Sequence, residues 1–418
     1  MASKGLRKVK LKEVCDRITV GHVGPMADKY TAEGVPFLRS QNISAFRLNL
    51  DDIKFIPPDF HEKLRKSALH PGDVAVVRTG YPGTACVIPS TFNELNCADL
   101  VVITPSKELS PYYLAAIFNS AWGVASVAGN LVGVAQQHFN IGAARELEVL
   151  LPPRPAQDRI AGILSAYDEL IENSQRRIRI LESMARALYR EWFVHFRFPG
   201  HESVPRVPSP LGEIPKGWEV ASIDDVCARV TDGAHFSPTS VDDGLPMASS
   251  KDMHDWGLNL ETARLISPED FADLVRNDCK PKRNDVLITK DGANYLKYIF
   301  VTRAEQEVVL LSSVAMLRPN ARINPHLLAA ILKEPENKGR LKNYVTGAAI
   351  PRVILKDFKR FELLLPSKEV QMAWAVIAEP MTEQIWRLID KTQNLRRTRD
   401  LLLPRLLSGQ IDVEALAS

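Results

Sequence analysis

Three polar loops, each present twice in the chain, carry the side chains with the clearest potential for chemistry. Arginine, lysine, asparagine, glutamine and serine match the donor and acceptor pattern of bases in the major groove of DNA. For any single residue, a solvated loop position or a phosphate contact is the alternative, because more than half of protein–DNA hydrogen bonds go to the backbone. The candidate DNA-contacting residues are Arg39, Ser40, Gln41, Asn42, Arg78, Thr79, Tyr81, Gln136, Gln137, His138, Asn140, Ser249, Ser250, Lys251, Lys290, Asn294, Tyr295, Lys297 and Arg352.

The two copies of the third loop differ in chemistry. Gln136, Gln137 and His138 stand opposite Ile350, Pro351 and Arg352. These side chains offer different donors and acceptors, so they cannot select the same bases. If both copies bind DNA, the sequence therefore predicts that they read different bases.

Sequence signatures of catalysis are missing. The string at 151–154, Leu-Pro-Pro-Arg, lacks the leading amide or acid and the trailing aromatic of an adenine-methylation motif. No G-x-x-x-x-G-K-[ST] phosphate loop occurs, and the glycines at 80 and 83 are interpreted as part of a turn. The nine histidines show no metal-ligand spacing. We predict a non-catalytic chain that binds no metal or cofactor of its own.

Composition places the chain among ordinary globular proteins. Its 53 basic and 50 acidic residues give a net charge of only +3, so any basic surface must come from local clustering. The five scattered cysteines favour free thiols in a reducing compartment. Neither a signal peptide nor an apolar run long enough for a membrane span is found, which leads us to expect a soluble, cytoplasmic protein without membrane contact.

An internal repeat covers nearly the whole chain. Val14-Cys15 matches Val226-Cys227, and Gly72-Asp73-Val74 matches Asn284-Asp285-Val286, both at an offset of 212. The later segments match at an offset of 214, among them Ser110-Pro111 and Asn324-Pro325, which suit helix N-termini. Short β-branched or leucine-rich runs predict strands at 74–77, 100–103, 147–151, 286–289, 314–317 and 361–365.

Each copy ends in a heptad stripe that predicts a long helix. Apolar or small residues recur at steps of four and three over more than four heptads, which is typical of helices packed along their length. The packing residues are Ile160, Leu164, Tyr167, Ile171, Ile178, Leu181, Leu188, Trp374, Met381, Ile385, Leu388, Leu395, Leu402 and Leu406.

The predicted fold class is α+β: two similar mixed α/β domains held apart by an antiparallel pair of long helices. The predicted boundaries are domains at 1–151 and 218–365, long helices at 152–196 and 366–410, and a tail at 411–418. Five prolines between 199 and 215 predict a stiff, extended linker at 197–217. A helix of roughly 55 Å could separate two DNA readers by a turn of B-DNA or more; a scaffold or dimerisation coil is the alternative.

This layout resembles the specificity subunit of type I restriction–modification enzymes. The resemblance rests on the Leu-Pro-Pro start of the first helix with Gln157, on the strings at 188–193 and 211–218, on Gly72-Asp73-Val74 with Arg78-Thr79-Gly80, and on the tail at 401–409. It implies two target-recognition domains, each reading one half of a split, asymmetric DNA site, and the unlike third loops agree with a target that is not a palindrome. It further implies that the helical pair docks two methyltransferase subunits, joined by endonuclease and translocase subunits.

The resemblance also assigns the cofactors. S-adenosylmethionine, ATP and Mg²⁺ would sit on the partner subunits, which carry adenine methylation and ATP-dependent cleavage. Three alternatives stay open: a methyltransferase complex without a nuclease, a two-domain protein-binding scaffold, and a self-sufficient DNA enzyme. The basic run Arg176, Arg177, Arg179, Arg186 and Arg190 would track phosphates, or form a solvated face, or meet an acidic partner.

Overall fold

The chain folds into two compact units. The structure, a computed structural model, describes residues 6–131, 138–347, 351–411 and 413. The first unit comprises Met1–Arg176 with Ile389–Ser418, and the second unit comprises Arg177–Leu388. Each unit therefore contains one repeat of the sequence together with parts of both long helices.

A four-stranded antiparallel sheet lies at the centre of each unit. In the first unit its order is Cys15–Val20, Leu100–Pro105, Val74–Val77 and Ala85–Val87. In the second unit the matching order is Cys227–Asp232, Val314–Pro319, Val286–Thr289 and Ile299–Val301. All six predicted strands are present, and the prediction of two similar mixed units is confirmed.

Smaller strand groups surround each sheet. The first unit pairs Arg7–Lys10 with Glu148–Leu151, joins Val35–Leu38 to Lys54–Ile56 and Asn96–Cys97, and forms a hairpin from Ile43–Ser44 and Arg47–Leu48. The second unit pairs Glu219–Ser222 with Glu362–Leu365, and joins Leu245–Ala248 to Arg264–Ile266 and Val309–Leu310. Its hairpins are Met253–His254 with Gly257–Leu258, and Val345–Thr346 with Arg352–Val353.

Short helices cover the sheets. Those of the first unit are Leu11–Val14, Pro58–Lys63, Pro111–Asn119, Ala121–Ala128 and Ile141–Glu146, with 3₁₀ turns at Ser40–Asn42 and Arg65–Ser67. Those of the second unit are Ile223–Val226, Pro268–Arg276, Pro325–Lys333, Pro335–Leu341 and Leu355–Phe358, with a 3₁₀ turn at Lys342–Tyr344. The helices that begin at Pro111 and Pro325 confirm the predicted starts, and the Asn324 side chain accepts hydrogen bonds from the first turn of its helix.

Two helices are much longer than the others: Arg154–Tyr189, the first long helix, and Lys368–Leu407, the second long helix. A π-helical turn, Arg190–Val194, extends the first. In the first unit, Asp168 accepts a hydrogen bond from Arg399 at 2.6 Å. Residues before this pair and residues after it share one core, which includes Leu164 and Leu406, so the helices run antiparallel there.

The heptad stripe is the covered face of both helices. The stripe positions Ile160, Leu164, Ile171, Trp374, Ile385, Leu388 and Leu406 are buried. The stripe positions Tyr167, Ile178, Leu181, Leu188, Met381, Leu395 and Leu402 are half-buried. Arg399 interrupts the stripe, and its guanidinium lies over the Phe46 ring while it pairs with Asp168. Burial raises the pKa of the Asp168 carboxyl, and the bond from Arg399 opposes that shift.

A buried glutamine fastens each globular part to its long helix. The Gln157 carbonyl accepts from the Ser110 amide, and its amide donates to the Glu108 and Pro152 carbonyls at 2.8–2.9 Å. In the second unit, Gln371 makes the same three bonds with Asn324, Arg322 and Pro366. The repeated glutamine thus satisfies buried backbone groups at the same joint.

The segment predicted as an extended linker is folded instead. It contains a 3₁₀ turn at His201–Ser203 and a hairpin of Arg206–Ser209 with Gly212–Pro215. Phe198 stacks on Trp218, with ring centroids 5.5 Å apart, and both rings join the core of the second unit. The prolines exclude an α-helix, but both strands of a two-stranded hairpin are edge strands, which tolerate proline, and burial of the apolar residues stabilises the hairpin.

Within the described ranges, no helix combines the length and apolarity needed to cross a membrane.

Candidate nucleic-acid interface

The predicted loops lie together at one end of the strands of each central sheet, and we refer to this end as the sheet edge. Leu100–Pro105 is antiparallel to both of its neighbours, with Val101 opposite Val20 and Leu100 opposite Val77. The carboxyl ends of the strands on either side therefore meet its amino end at the same edge. In the second unit, Val314 at the amino end of the matching strand lies opposite Thr289 at the same kind of edge.

In the first unit the loops meet at Asp99. The Arg78 guanidinium lies 3.4 Å from the Asp99 carboxylate, and the Thr79 hydroxyl donates to the same carboxylate. The Ser40 hydroxyl donates to the Asp99 carbonyl at 3.5 Å. The Phe139 amide donates to the Arg78 carbonyl at 3.1 Å, which brings in the third loop. Three segments that are far apart in sequence thus form one surface.

In the second unit the loops meet at Ser313, the counterpart of Asp99 at the offset of 214. The Ser250 amide donates to the Ser313 hydroxyl at 3.0 Å, and the Lys290 amide donates to the Ser313 carbonyl at 2.9 Å. The Val353 amide donates to the Lys290 carbonyl at 3.1 Å. The same three segments therefore converge in both units, although the residue at the meeting point differs.

The predicted DNA-contacting side chains differ in accessibility. The exposed ones are Gln41, Tyr81, Lys251, Lys297 and Arg352. The half-buried ones are Arg39, Ser40, Arg78, Thr79, His138, Asn140, Ser249, Ser250, Asn294 and Tyr295. Asn42 and Lys290 are buried. Gln136, Gln137 and Ile350 lie outside the described residues.

Several of these side chains already hold the protein together. Asn42 donates to the Asn49 carbonyl and accepts from the Arg39 amide, both at 3.0 Å. Asn140 caps the helix Ile141–Glu146. The Arg39 guanidinium lies against the Tyr30 ring and pairs with Asp52. These contacts use the donors that a base would need, so these residues shape the loops more than they face outward.

A charge cluster occupies the edge of the second unit. The Lys290 ammonium lies 2.5 Å from an Asp232 carboxylate oxygen, with only 5% of its side chain exposed. Asp291 lies 3.9 Å from Lys290 and 3.4 Å from Arg352. Burial raises the pKa of the Asp291 carboxyl, while the two cations oppose the shift. The buried Lys290 is paired with Asp232, whereas 58% of the Arg352 side chain is exposed to solvent.

Sequence reasoning missed Asp99 and Ser313, because neither lies in a loop that repeats by residue type. The available signal was positional, since each directly precedes a repeated strand. The long-helix arginines Arg177, Arg179 and Arg186 are exposed, and Arg190 lies 3.9 Å from the buried Glu334. Among the residues that the structure describes, no group of three or more histidine, cysteine, aspartate or glutamate side chains is arranged to hold a metal ion.

The comparison with protein families gives two matches along the chain. The model of the type I restriction modification DNA specificity domain matches residues 4–183 and again residues 215–395. The two matches coincide with the two sequence repeats.

Individual relatives agree with that match. The MjaIX type I specificity subunit of Methanocaldococcus jannaschii is 26% identical over 283 residues, which is 65% of this chain and 62% of the relative. The HindI specificity subunit of Haemophilus influenzae is 21% identical over 340 residues, 63% of this chain and 69% of the relative. The chain thus spans less than two thirds of the length of the M. jannaschii protein.

A solved structure shares the fold. The S subunit of a type I restriction–modification system from M. genitalium superimposes with a TM-score of 0.62 at 15% identity, and covers 97% of both chains. At this identity the likeness concerns the fold alone.

Proposed function

The chain belongs to the type I restriction modification DNA specificity family, and from that premise we propose that it is the sequence-recognition subunit of such a system. Each unit would read one half of a split DNA site with the loops at its sheet edge. The chain itself would be non-catalytic, and its partners would methylate adenine and cleave DNA.

One observation carries the proposal: the same three loops converge at the same sheet edge in both units but present different side chains. Tyr81 and Gln41 are exposed in the first unit, and Arg352 and Lys251 in the second. Loops set on a rigid sheet suit recognition because their residues can vary while the framework stays fixed. Different side chains on equal frameworks support two unlike half-sites, and thus an asymmetric target.

We propose the long helices as the docking surface for two methyltransferase subunits. Large apolar side chains are exposed on them outside the heptad stripe: Leu170 and Leu401 in the first unit, and Ile180, Met184, Met372, Val376 and Ile377 in the second. Val376 is 75% exposed and Met372, one turn earlier, is 60% exposed. Exposed apolar residues on neighbouring turns are typical of a protein interface.

The partners would also supply the cofactors. S-adenosylmethionine would bind the methyltransferase subunits, and ATP with Mg²⁺ would bind the endonuclease and translocase subunits. The basic residues Arg177, Arg179 and Arg186 would lie along DNA phosphates between the half-sites. The cytoplasm, where host DNA is accessible, is the proposed location.

The testing experiment is a genome-wide map of modified adenines in the host, with and without this gene. We expect loss of one split, non-palindromic motif on deletion, and its return on complementation. A palindromic motif would contradict the asymmetry, and an unchanged map in a host that expresses the methyltransferase would contradict DNA recognition.

A protein-binding scaffold is the second candidate, and charge reversal separates the two. Arg78 and Lys290 are unsuitable targets because only 16% and 5% of their side chains are exposed. Arg352→Glu and Lys251→Glu change exposed side chains instead. A scaffold predicts unchanged DNA affinity of the assembled complex, whereas recognition predicts a loss of at least about tenfold, since each cation contacts a base or phosphate.

A further inference from the structure

A fourth segment lies at the sheet edge of each unit. In the second unit it follows the strand Cys227–Asp232 and consists of residues 233–238. In the first unit it follows Cys15–Val20 and consists of residues 21–25. We refer to these segments as the fourth loops. Neither carries the arginine, lysine, asparagine or glutamine side chains that mark the other three loops.

The fourth loops bond to the same short segments, just before Leu100 and Val314, at which the other loops meet. In the first unit the Asp99 amide donates to the His22 carbonyl at 3.1 Å, and the His22 amide donates to the Cys97 carbonyl at 2.8 Å. In the second unit the Ser312 amide donates to the Ala234 carbonyl at 2.9 Å, and the Ala234 amide donates to the Leu310 carbonyl at 2.8 Å. The residues just before the strands Leu100–Pro105 and Val314–Pro319 thus bond directly to the first, second and fourth loops, and the third loop bonds to the second.

Close packing makes the base of each fourth loop rigid. A Cβ at Gly233 would lie 2.1 Å from the Leu310 carbonyl oxygen, and a Cβ at Gly21 would lie 2.8 Å from that of Cys97. Only glycine allows this approach of two backbones. Ala234, the next residue, is itself 95% buried, with 5% exposure. The residues that follow are therefore held on a fixed backbone.

Each fourth loop exposes one large apolar side chain to solvent. Val23 is 62% exposed and Phe236 is 69% exposed. The neighbouring His235 is exposed and bonds to Asp232 at 3.1 Å, the same carboxylate that neutralises Lys290. Asp232 therefore contacts both Lys290 and His235, and the Phe236 side chain remains uncovered beside them.

The major groove of DNA has one apolar group, the C5-methyl of thymine. We propose, on the basis of the proposed function, that the fourth loops are additional recognition elements in which Val23 and Phe236 contact thymine methyl groups, one in each half-site. The contact discriminates thymine from cytosine without a hydrogen bond.

Replacement of thymine by uracil tests this, because uracil lacks the methyl group and keeps every hydrogen-bonding atom. Duplexes that carry the mapped target are made with each thymine replaced in turn, and binding by the complex with its methyltransferase is measured. We expect one position in each half-site at which uracil weakens binding about fourfold, the value expected for loss of one buried methyl group. Val23→Ala should abolish that effect in the first half-site only, and Phe236→Ala in the second only.

Matched controls separate a contact from general damage. Val124 and Val275 are exposed valines on helices of the first and second units, and Val124→Ala and Val275→Ala should leave the uracil response unchanged. A half-site without thymine, equal binding of thymine and uracil duplexes, or uracil sensitivity that persists in the variants would overturn the proposal. Failure of the proposed function would be visible earlier, as the absence of any mapped target.

Discussion

The two sheet edges have similar backbones, but the cation at the end of the central strand is bound differently in the two units. In the first unit, Arg78 pairs with Asp99, whose side chain is 43% exposed. In the second unit, Lys290 is buried against Asp232, and Arg352 beside it is exposed. The backbone bond from Phe139 to Arg78 recurs between Val353 and Lys290, whereas the charge pairs do not recur. The framework is thus separable from the chemistry that it presents.

A buried ion pair inside each central sheet also differs between the two units. The repeated aspartate is buried in both units, at Asp73 and Asp285. Asp73 pairs with Arg17, from the edge strand, at 2.6 Å. The Nε and Nη2 atoms of Arg318, from the strand Val314–Pro319, each donate to the Asp285 carboxylate at 2.9 Å. The carboxylate stays in place while the cation that compensates it comes from a different strand.

The largest expected effect tests this exchange. Arg318→Ala leaves the Asp285 carboxylate buried without its partner, and should lower the free energy of unfolding by about 3–5 kcal/mol. Arg229 is the counterpart of Arg17 but pairs with Asp278 at a half-exposed position, so Arg229→Ala should cost less than about 1 kcal/mol. Denaturant unfolding with hydrogen exchange of the second unit measures both. Equal losses of stability in the two variants would contradict the assignment of Arg318 as the main partner of Asp285.

The buried glutamines should behave alike in the two units. Gln157→Leu and Gln371→Leu each remove three hydrogen bonds and leave buried backbone groups unpaired, at a cost of about 2–3 kcal/mol each. Gln384→Leu, at an exposed position of the second long helix, is the control and should change stability by less than about 0.5 kcal/mol. Thermal unfolding provides the comparison. A large difference between the two glutamine variants would contradict the equivalence of the joints.

Arg352→Ala should relax recognition in one half-site only. A bidentate arginine contact is worth about 1–3 kcal/mol of discrimination, so one base of the second half-site should become degenerate. Gln41→Ala is the matching change in the first unit. Methylation motifs mapped for both variants test the assignment. A uniform fall in methylation with an unchanged motif would indicate a phosphate contact instead.

The smallest effect concerns pH and the second unit alone. The Lys333 ammonium lies 4.6 Å from the Trp256 ring centroid. Burial lowers the pKa of Lys333 to about 8. Asp255 and Glu182 oppose this shift, and Lys338 and Arg186 add to it. The unfolded chain then binds more protons than the folded chain between pH 8 and pH 10. Stability should rise across that range, by at most about 1.4 kcal/mol per pH unit.

Lys333→Met should remove this rise. The counterpart of Lys333 in the first unit is Asn119, which bonds to the Ala85 backbone and carries no titrating group. The difference between wild-type and variant stability curves isolates the lysine from other groups that titrate there. Parallel curves would show that Lys333 keeps its ordinary pKa in the folded protein.

Much of the architecture could be read from the sequence, because repetition and periodicity are local signals. The strands at 74–77 and 286–289 have the predicted bounds, and every stripe residue from Ile160 to Leu406 is covered at least in part. The linker prediction was wrong because it weighed prolines alone. Phe198, Ile214 and Trp218 find apolar partners in the second unit, and burial outweighs the lack of backbone donors.

The sequence by itself determined that there are two similar units, where their strands and long helices lie, and which loops repeat, since these follow from the order of residue types along the chain. Only the tertiary structure decided which polar side chains remain available. Lys290 and Arg352 have the same charge in the sequence, but one is buried against Asp232 and the other is exposed. Burial and pairing depend on residues more than fifty positions away, and no local pattern encodes them.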